Sequence, residues 1–180
     1  MYLNKTCFGY ERFYCQQMNR LTMANHKVYY SNQIIKKGLN DKEMKLSVKS
    51  EYACLALLDL AENYENGLRT TAQIAERQEI PKKFLEQLLL TLKYGGYLQS
   101  RKGKGGGYWL AKDPGSITLA EIIRLMDGSL APVASVSKYF YKPTPIMKHK
   151  SLLRVFQDIR DYTVDVLEKI TFSDLIQQKE

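Results

Sequence analysis

The chain has 180 residues, is 44% hydrophobic, and carries 27 Lys/Arg against 19 Asp/Glu, a formal net charge of +8. That length buries one core, or one small domain with an attached helix, and the basic balance speaks for an anionic partner rather than for a fold. No run of eighteen apolar residues is present to span a membrane, no secretory leader is evident, and three scattered cysteines (Cys7, Cys15, Cys54) make no disulfide framework, so the expected compartment is the cytoplasm.

Residues 1–43 differ from the rest of the chain: seven Lys/Arg, three Asp/Glu, many Tyr, Asn and Gln, and no sustained period. They are expected to be a poorly ordered basic arm, or an extension from an upstream start with Met44 as the functional one. From Val48 the pattern turns helical: Val48, Tyr52, Leu55, Ala56, Leu58 and Ala61 fall near 3.6-residue spacing, with Lys49, Glu51, Asp59 and Glu62 on other faces. Asn63 to Gly67 ends that helix. Thr70-x-x-Gln73 matches a capping box for a second helix, whose expected inward side chains are Ala72, Ile74 and Ala75. After a turn at Gln78 to Ile80, Pro81 opens a third helix that carries Phe84, Leu85, Leu88, Leu89 and Leu92 inward and stops at Gly95-Gly96. Three short helices at this spacing are a helix-turn-helix bundle.

Tyr97-Leu98 and Tyr108-Trp109-Leu110 are expected to pair as strands around RKGKGGG. Asp113-Pro114-Gly115 is a turn, and the capping box Thr118-x-x-Glu121 opens a helix through Met126 that stops at Gly128. Leu130 to Pro145 reads as loop. Ser151 to Ile170 reads as a long helix with Leu152, Val155, Phe156, Ile159, Tyr162, Val166 and Ile170 along one stripe. Twenty residues span about 30 Å, and a stripe so long beyond a small domain needs cover, most simply from a second copy of the chain. The expected fold is mainly α with a small β-hairpin: a winged helix-turn-helix domain plus a long C-terminal dimerisation helix. Its divisions are the extension 1–43, the DNA-binding domain 44–128, a sensor-type loop 129–150, and the dimerisation helix with its tail 151–180.

Arg77 to Lys112 holds eight Lys/Arg and two Asp/Glu, a local net of +6 within the chain's +8. Such a surface attracts phosphates by releasing condensed counterions. Lys82, Lys83, Glu86 and Gln87 fall on the face of the third helix away from Leu85, Leu88 and Leu92. In a winged helix-turn-helix that face enters the major groove, where Gln suits adenine, Glu suits cytosine N4, and Lys reaches guanine or phosphate. A charged helix face is often merely solvated; the basic hairpin after it favours DNA. Arg101, Lys102 and Lys104 stand among four glycines on the wing, suited to the narrow minor groove. Nucleotide-binding motifs fail here, since Gly105 follows Lys104 where a Walker loop needs Ser or Thr, and Tyr108 stands where a dinucleotide fingerprint needs its third glycine. Catalysis has little to use: His26 and His149 are the only histidines, and Cys54 reads as a buried structural thiol.

MKLSVKSEYACLALLDLA, the FLEQLL helix, the RKGKGGGYWLAKDP wing and the ITLAEIIRLMDG helix together resemble the Rrf-two family of dimeric winged-helix transcription factors. The resemblance covers about Met44 to Ile176. It implies major-groove readout by Lys82, Lys83, Glu86 and Gln87, minor-groove insertion of Lys102 flanked by Arg101 and Lys104, and dimerisation through the long last helix. Cluster-binding members carry three closely spaced cysteines in the loop before that helix, whereas Ser129 to Lys150 contains none here. Thiolates hold iron–sulfur clusters, so no cofactor is expected. The loop is left for a small-molecule or protein effector, or for packing of Tyr139, Phe140 and Tyr141 on the neighbouring subunit.

The function that results is a homodimeric, sequence-specific transcriptional regulator of a pseudo-palindromic operator in double-stranded DNA, and not an enzyme. Two alternatives stand beside it: an iron–sulfur or redox-responsive regulator with non-standard ligands, and a winged-helix protein-interaction module without DNA binding.

Overall fold

The computed structural model describes residues 46–177; the expectations for residues 1–43, with Cys7, Cys15 and His26, lie outside them. In chain order the described elements are α1 (Val48–Glu62), α2 (Thr71–Arg77), α3 (Lys82–Tyr94), β1 (Leu98–Arg101), β2 (Gly107–Leu110), α4 (Leu119–Asp127), α5 (Lys150–Lys169) and α6 (Phe172–Gln177), joined in places by short 3-10 turns. The fold is mostly helical with one antiparallel hairpin, as the sequence patterns imply.

The central element is α1. Ser47 caps it by accepting from the Ser50 N–H, and α2, α3, α4, α6 and β2 all pack against it. Its fully buried apolar residues are Ala53, Ala56 and Leu57, with Leu60 and Ala61 nearly so. Surrounded on most sides, α1 has no single inward stripe, and this corrects two expectations. Val48 is 51% exposed, whereas Asp59, placed off the inward stripe, is wholly buried. Small side chains at 53, 56 and 61 let neighbours approach closely, and cationic neighbours compensate the Asp59 carboxylate.

Both expected capping boxes form. Thr70 Oγ1 accepts from the Gln73 N–H at 3.2 Å while Gln73 Oε1 accepts from the Thr70 N–H at 2.8 Å. Thr118 and Glu121 repeat the exchange at 3.3 and 3.1 Å. These bonds satisfy helix-start N–H groups that otherwise lack partners. Within α2 only Ile74 is buried; Ala72 is exposed rather than inward, because seven residues offer little more than one inward position per turn. At the other end of α3, Tyr97 N–H donates to Leu92 O at 3.0 Å and Gly96 N–H to Lys93 O at 3.0 Å, the paired bonds of a Schellman stop.

The hairpin begins one residue later than the sequence suggests and runs further. Leu98, Gln99, Ser100 and Arg101 pair with Leu110, Trp109, Tyr108 and Gly107, so Arg101 closes a strand and Tyr97 belongs to the helix stop. The larger correction concerns the C-terminus. After α5 the chain turns back, Thr171 bridges Thr118, and Phe172 inserts into the core with 0% exposure. Residues 171–177 therefore dock on the core through Phe172 and are not a tail. Reciprocal bonds between Thr171 and Asp174 cap α6, and that Thr-x-x-Asp pair was the available signal. By contrast α5 buries no residue: Leu152, Val155 and Tyr162 are all about half exposed along its apolar stripe.

Candidate nucleic-acid interface

Pro81 carries the chain into α3, its carbonyl accepting from Phe84 and Leu85 N–H groups at 2.9 and 3.0 Å. Helical spacing then divides the side chains. Leu85, Leu88, Leu89 and Leu92 are buried, and Phe84 is half-buried edge-on to Tyr52 with ring centroids 5.7 Å apart. Lys82, Lys83, Glu86 and Gln87 are all exposed on the opposite side. The first turn of α3 holds no acidic residue, so two lysines stand at the positive end of the helix. That arrangement is unfavourable in isolation and favourable against an anion.

The wing continues from α3 without slack. Lys93 Nζ donates to Ser100 Oγ at 2.8 Å, tying the last turn of α3 to β1. Gly103 and Gly105 adopt φ of 96° and 77°, which sharpens the tip and leaves Lys102 and Lys104 fully projecting. Both are exposed, and no carboxylate among the described residues pairs with them or with Lys82 and Lys83. Arg101 is exposed too, but its guanidinium folds back to donate to Gly105 O at 3.3 Å, so it braces the tip as well as charging it. The structure thus presents two groups on successive elements, Lys82, Lys83, Glu86 and Gln87 on α3 and Arg101, Lys102 and Lys104 on the wing.

Away from this surface, Cys54 sits on α1 near the end of α4. Burial, reinforced by the Asp127 carboxylate, pushes its thiol up to about 11, which suppresses the nucleophilic thiolate at neutral pH. Burial acts to raise the Asp127 carboxyl as well, but hydrogen bonds from Ser47 and the charge of Lys49 together hold it below the usual carboxylate range. Ser47 donates to Asp127 through both its hydroxyl and its N–H, the latter at 3.1 Å, so the start of α1 is tied to the end of α4. This contact had no sequence signal.

A three-helix bundle with its third helix charged on the outward side and succeeded by a basic, glycine-tipped hairpin defines a winged helix-turn-helix protein. Residues 46–178 match the model of the Rrf2 (Rrf-two) family, described as iron-dependent transcriptional regulators. The HTH-type transcriptional regulator IscR of Enterobacter sp. (strain 638) is 36% identical over 137 residues, covering 76% of this chain and 82% of the relative. Among solved structures, CymR, the global cysteine regulator of B. subtilis, matches with a TM-score of 0.62 at 28% identity over 77% of this chain and 100% of that one. T. potens IscR matches with a TM-score of 0.58 at 31% identity over 76% of this chain and 89% of that one. The chain belongs to the Rrf2 family of winged-helix transcriptional regulators, and with these relatives it is a regulator and not an enzyme.

Iron in this family raises the question of ligands. Between Gly128 and α5 the side chains with lone pairs are mainly hydroxyls that already bond one another: Ser129 to Ser137 at 2.9 Å and Thr144 to Ser135 at 2.7 Å. His149 is exposed at the head of α5. Among the described residues no three His, Cys, Asp or Glu side chains converge to hold a metal, and the one described cysteine is the inert thiol of Cys54. This donor set does not fit a thiolate-held cluster.

Proposed function

We propose that the protein is a sequence-specific DNA-binding regulator that acts as a homodimer on a pseudo-palindromic operator. Lys82, Lys83, Glu86 and Gln87 read the major groove, with Gln87 and Glu86 suited to base edges and the lysines to guanine or phosphate. Lys102, flanked by Arg101 and Lys104, enters the adjacent minor groove. The observation that carries this reading is the wing tip, where cations stand exposed with no carboxylate among the described residues to neutralise them.

Support for the dimer comes from α5. Leu152, Val155, Ile159 and Tyr162 remain 38–53% exposed on one stripe of a 20-residue helix. Beside it an apolar groove of about 1030 Å³ is lined by Val48, Ile123, Met126, Leu130, Ile159 and Leu167, among others. A second copy covers both, and paired wings then address half-sites about one or two helical turns apart. Such a regulator works in the cytoplasm, with the loop of residues 129–150 taking its signal from a small molecule or a protein.

The test is selection of bound genomic fragments with the full chain, then a salt titration on the recovered site and sedimentation of the free protein. The reading requires a dimer, steep loss of affinity with salt, and a preference for the selected site over random duplex. Ile159→Glu is expected to yield monomers with weakened operator binding. A dimer of unchanged strength in that variant removes α5 from the interface.

A further inference from the structure

Asp59 is ion-paired with two arginines but hydrogen-bonded to only one of them. Arg77, in the last turn of α2, donates from Nε to Asp59 Oδ1 at 2.5 Å and from Nη2 to Glu62 at 3.3 Å. Among the described residues Asp59 Oδ2 has no hydrogen-bond partner, and neither has the buried Nε of Arg69, 4.0 Å away. A buried carboxylate oxygen and a buried guanidinium N–H that each lack a partner are costly separately and relieve each other when they meet. Closing the gap to an ordinary charge-assisted bond takes roughly 1 Å of movement.

The backbone of Arg69 is itself fixed to the wing. Its N–H donates to Tyr108 O at 2.9 Å and its carbonyl accepts from Tyr108 N–H at 2.8 Å, so it forms a third, one-residue rung on the wing's sheet. A Cβ at Gly107 would come within 2.4 Å of the Arg69 carbonyl oxygen, so the two backbones pack closely at the tip-side end of β2. The next residue, Thr70, caps α2. One carboxylate therefore holds the helix-turn-helix through Arg77 and faces, through Arg69, the tip-side end of the wing's second strand.

We propose that Asp59 and Arg69 form a strut that sets the wing's position against the helix-turn-helix, making both positioning residues for the wing's contact with DNA. The inference rests on the DNA-reading function proposed above. Seating Lys102 in a groove and closing the strut are then coupled, since Arg69 is paired to the strand that leaves the tip carrying Lys102.

Asp59→Ala or Asp59→Asn strands Arg77 and can unfold the protein, so the informative variant is Arg69→Met, which keeps the backbone pairing and the apolar stem. Affinity for the selected operator is measured at one salt concentration for the full-length parent, Arg69→Met, Lys102→Ala and the double variant, with thermal melting of each. Expected are losses of about fivefold for Arg69→Met and about tenfold for Lys102→Ala. The double variant loses about tenfold rather than the fiftyfold of independent sites, and Arg69→Met melts within a few degrees of the parent. Arg69→Lys recovers part of the loss. Multiplicative losses, or an Arg69→Met protein that binds like the parent, overturn the strut while leaving DNA reading intact. If the parent shows no salt-sensitive binding and Lys102→Ala changes nothing, DNA reading itself fails and the strut with it.

Discussion

Replacing both wing-tip lysines, Lys102→Ala with Lys104→Ala, takes four cations off the proposed homodimer, two from each protomer. Each side chain is exposed and lacks a carboxylate partner among the described residues, so nearly all of its charge is available to DNA. A neutralised phosphate contributes about 0.9 to the slope of log affinity against log salt. Four lost contacts flatten that slope by about 3.6. Over a fourfold rise in salt, from about 50 to about 200 mM, the variant should lose about two decades less affinity than the parent. Fluorescence anisotropy on a labelled operator, repeated across the salt series, reads the slope directly. The loss should be similar on operator and random duplex, because phosphate contacts carry no sequence information. An unchanged slope would mean the wing does not touch the backbone. A loss confined to the operator would mean that the lysines read bases instead.

On α3, Gln87→Ala should change which base is preferred at one operator position more than it changes overall affinity, as read by selection from a randomised site; a uniform loss would assign Gln87 to the backbone. In the core, Phe172→Ala should cost about 3–5 kcal/mol, the range for emptying a fully buried aromatic site, and lower the melting temperature sharply. A near-parental melting curve would show that α6 is dispensable to the fold. The Cys54 thiol, held up at about 11, should resist alkylation at neutral pH and gain reactivity only as pH rises toward that value, because the thiolate is the reactive form. Peptide-level mass spectrometry after a pH series distinguishes Cys54 from Cys7 and Cys15, and fast labelling of Cys54 at neutral pH would refute its burial.

Local patterns carried much of this molecule. The capping boxes at Thr70 and Thr118, the Gly95-Gly96 stop, the leucine face of α3 and the glycine-rich tip each depend on neighbours within a few residues, so spacing alone exposes them. The outward row of Lys82, Lys83, Glu86 and Gln87 comes from the same arithmetic, since burying Leu85, Leu88 and Leu92 turns those four away. The ends of the hairpin were harder, because pairing Arg101 with Gly107 depends on both strands at once.

What the chain alone determined is therefore the elements from α1 to α5 and the chemistry of the surface proposed to face DNA, because periodicity and capping are short-range effects. Tertiary structure decided the rest. Asp59 reads as a surface residue until Arg77 and Arg69 arrive from 18 and 10 residues away in sequence to surround it. Phe172 reads as part of a tail until Thr171 bridges Thr118 and brings it onto α1. In both cases the environment of one side chain is assembled from distant segments, and its energy is set by which of them close around it.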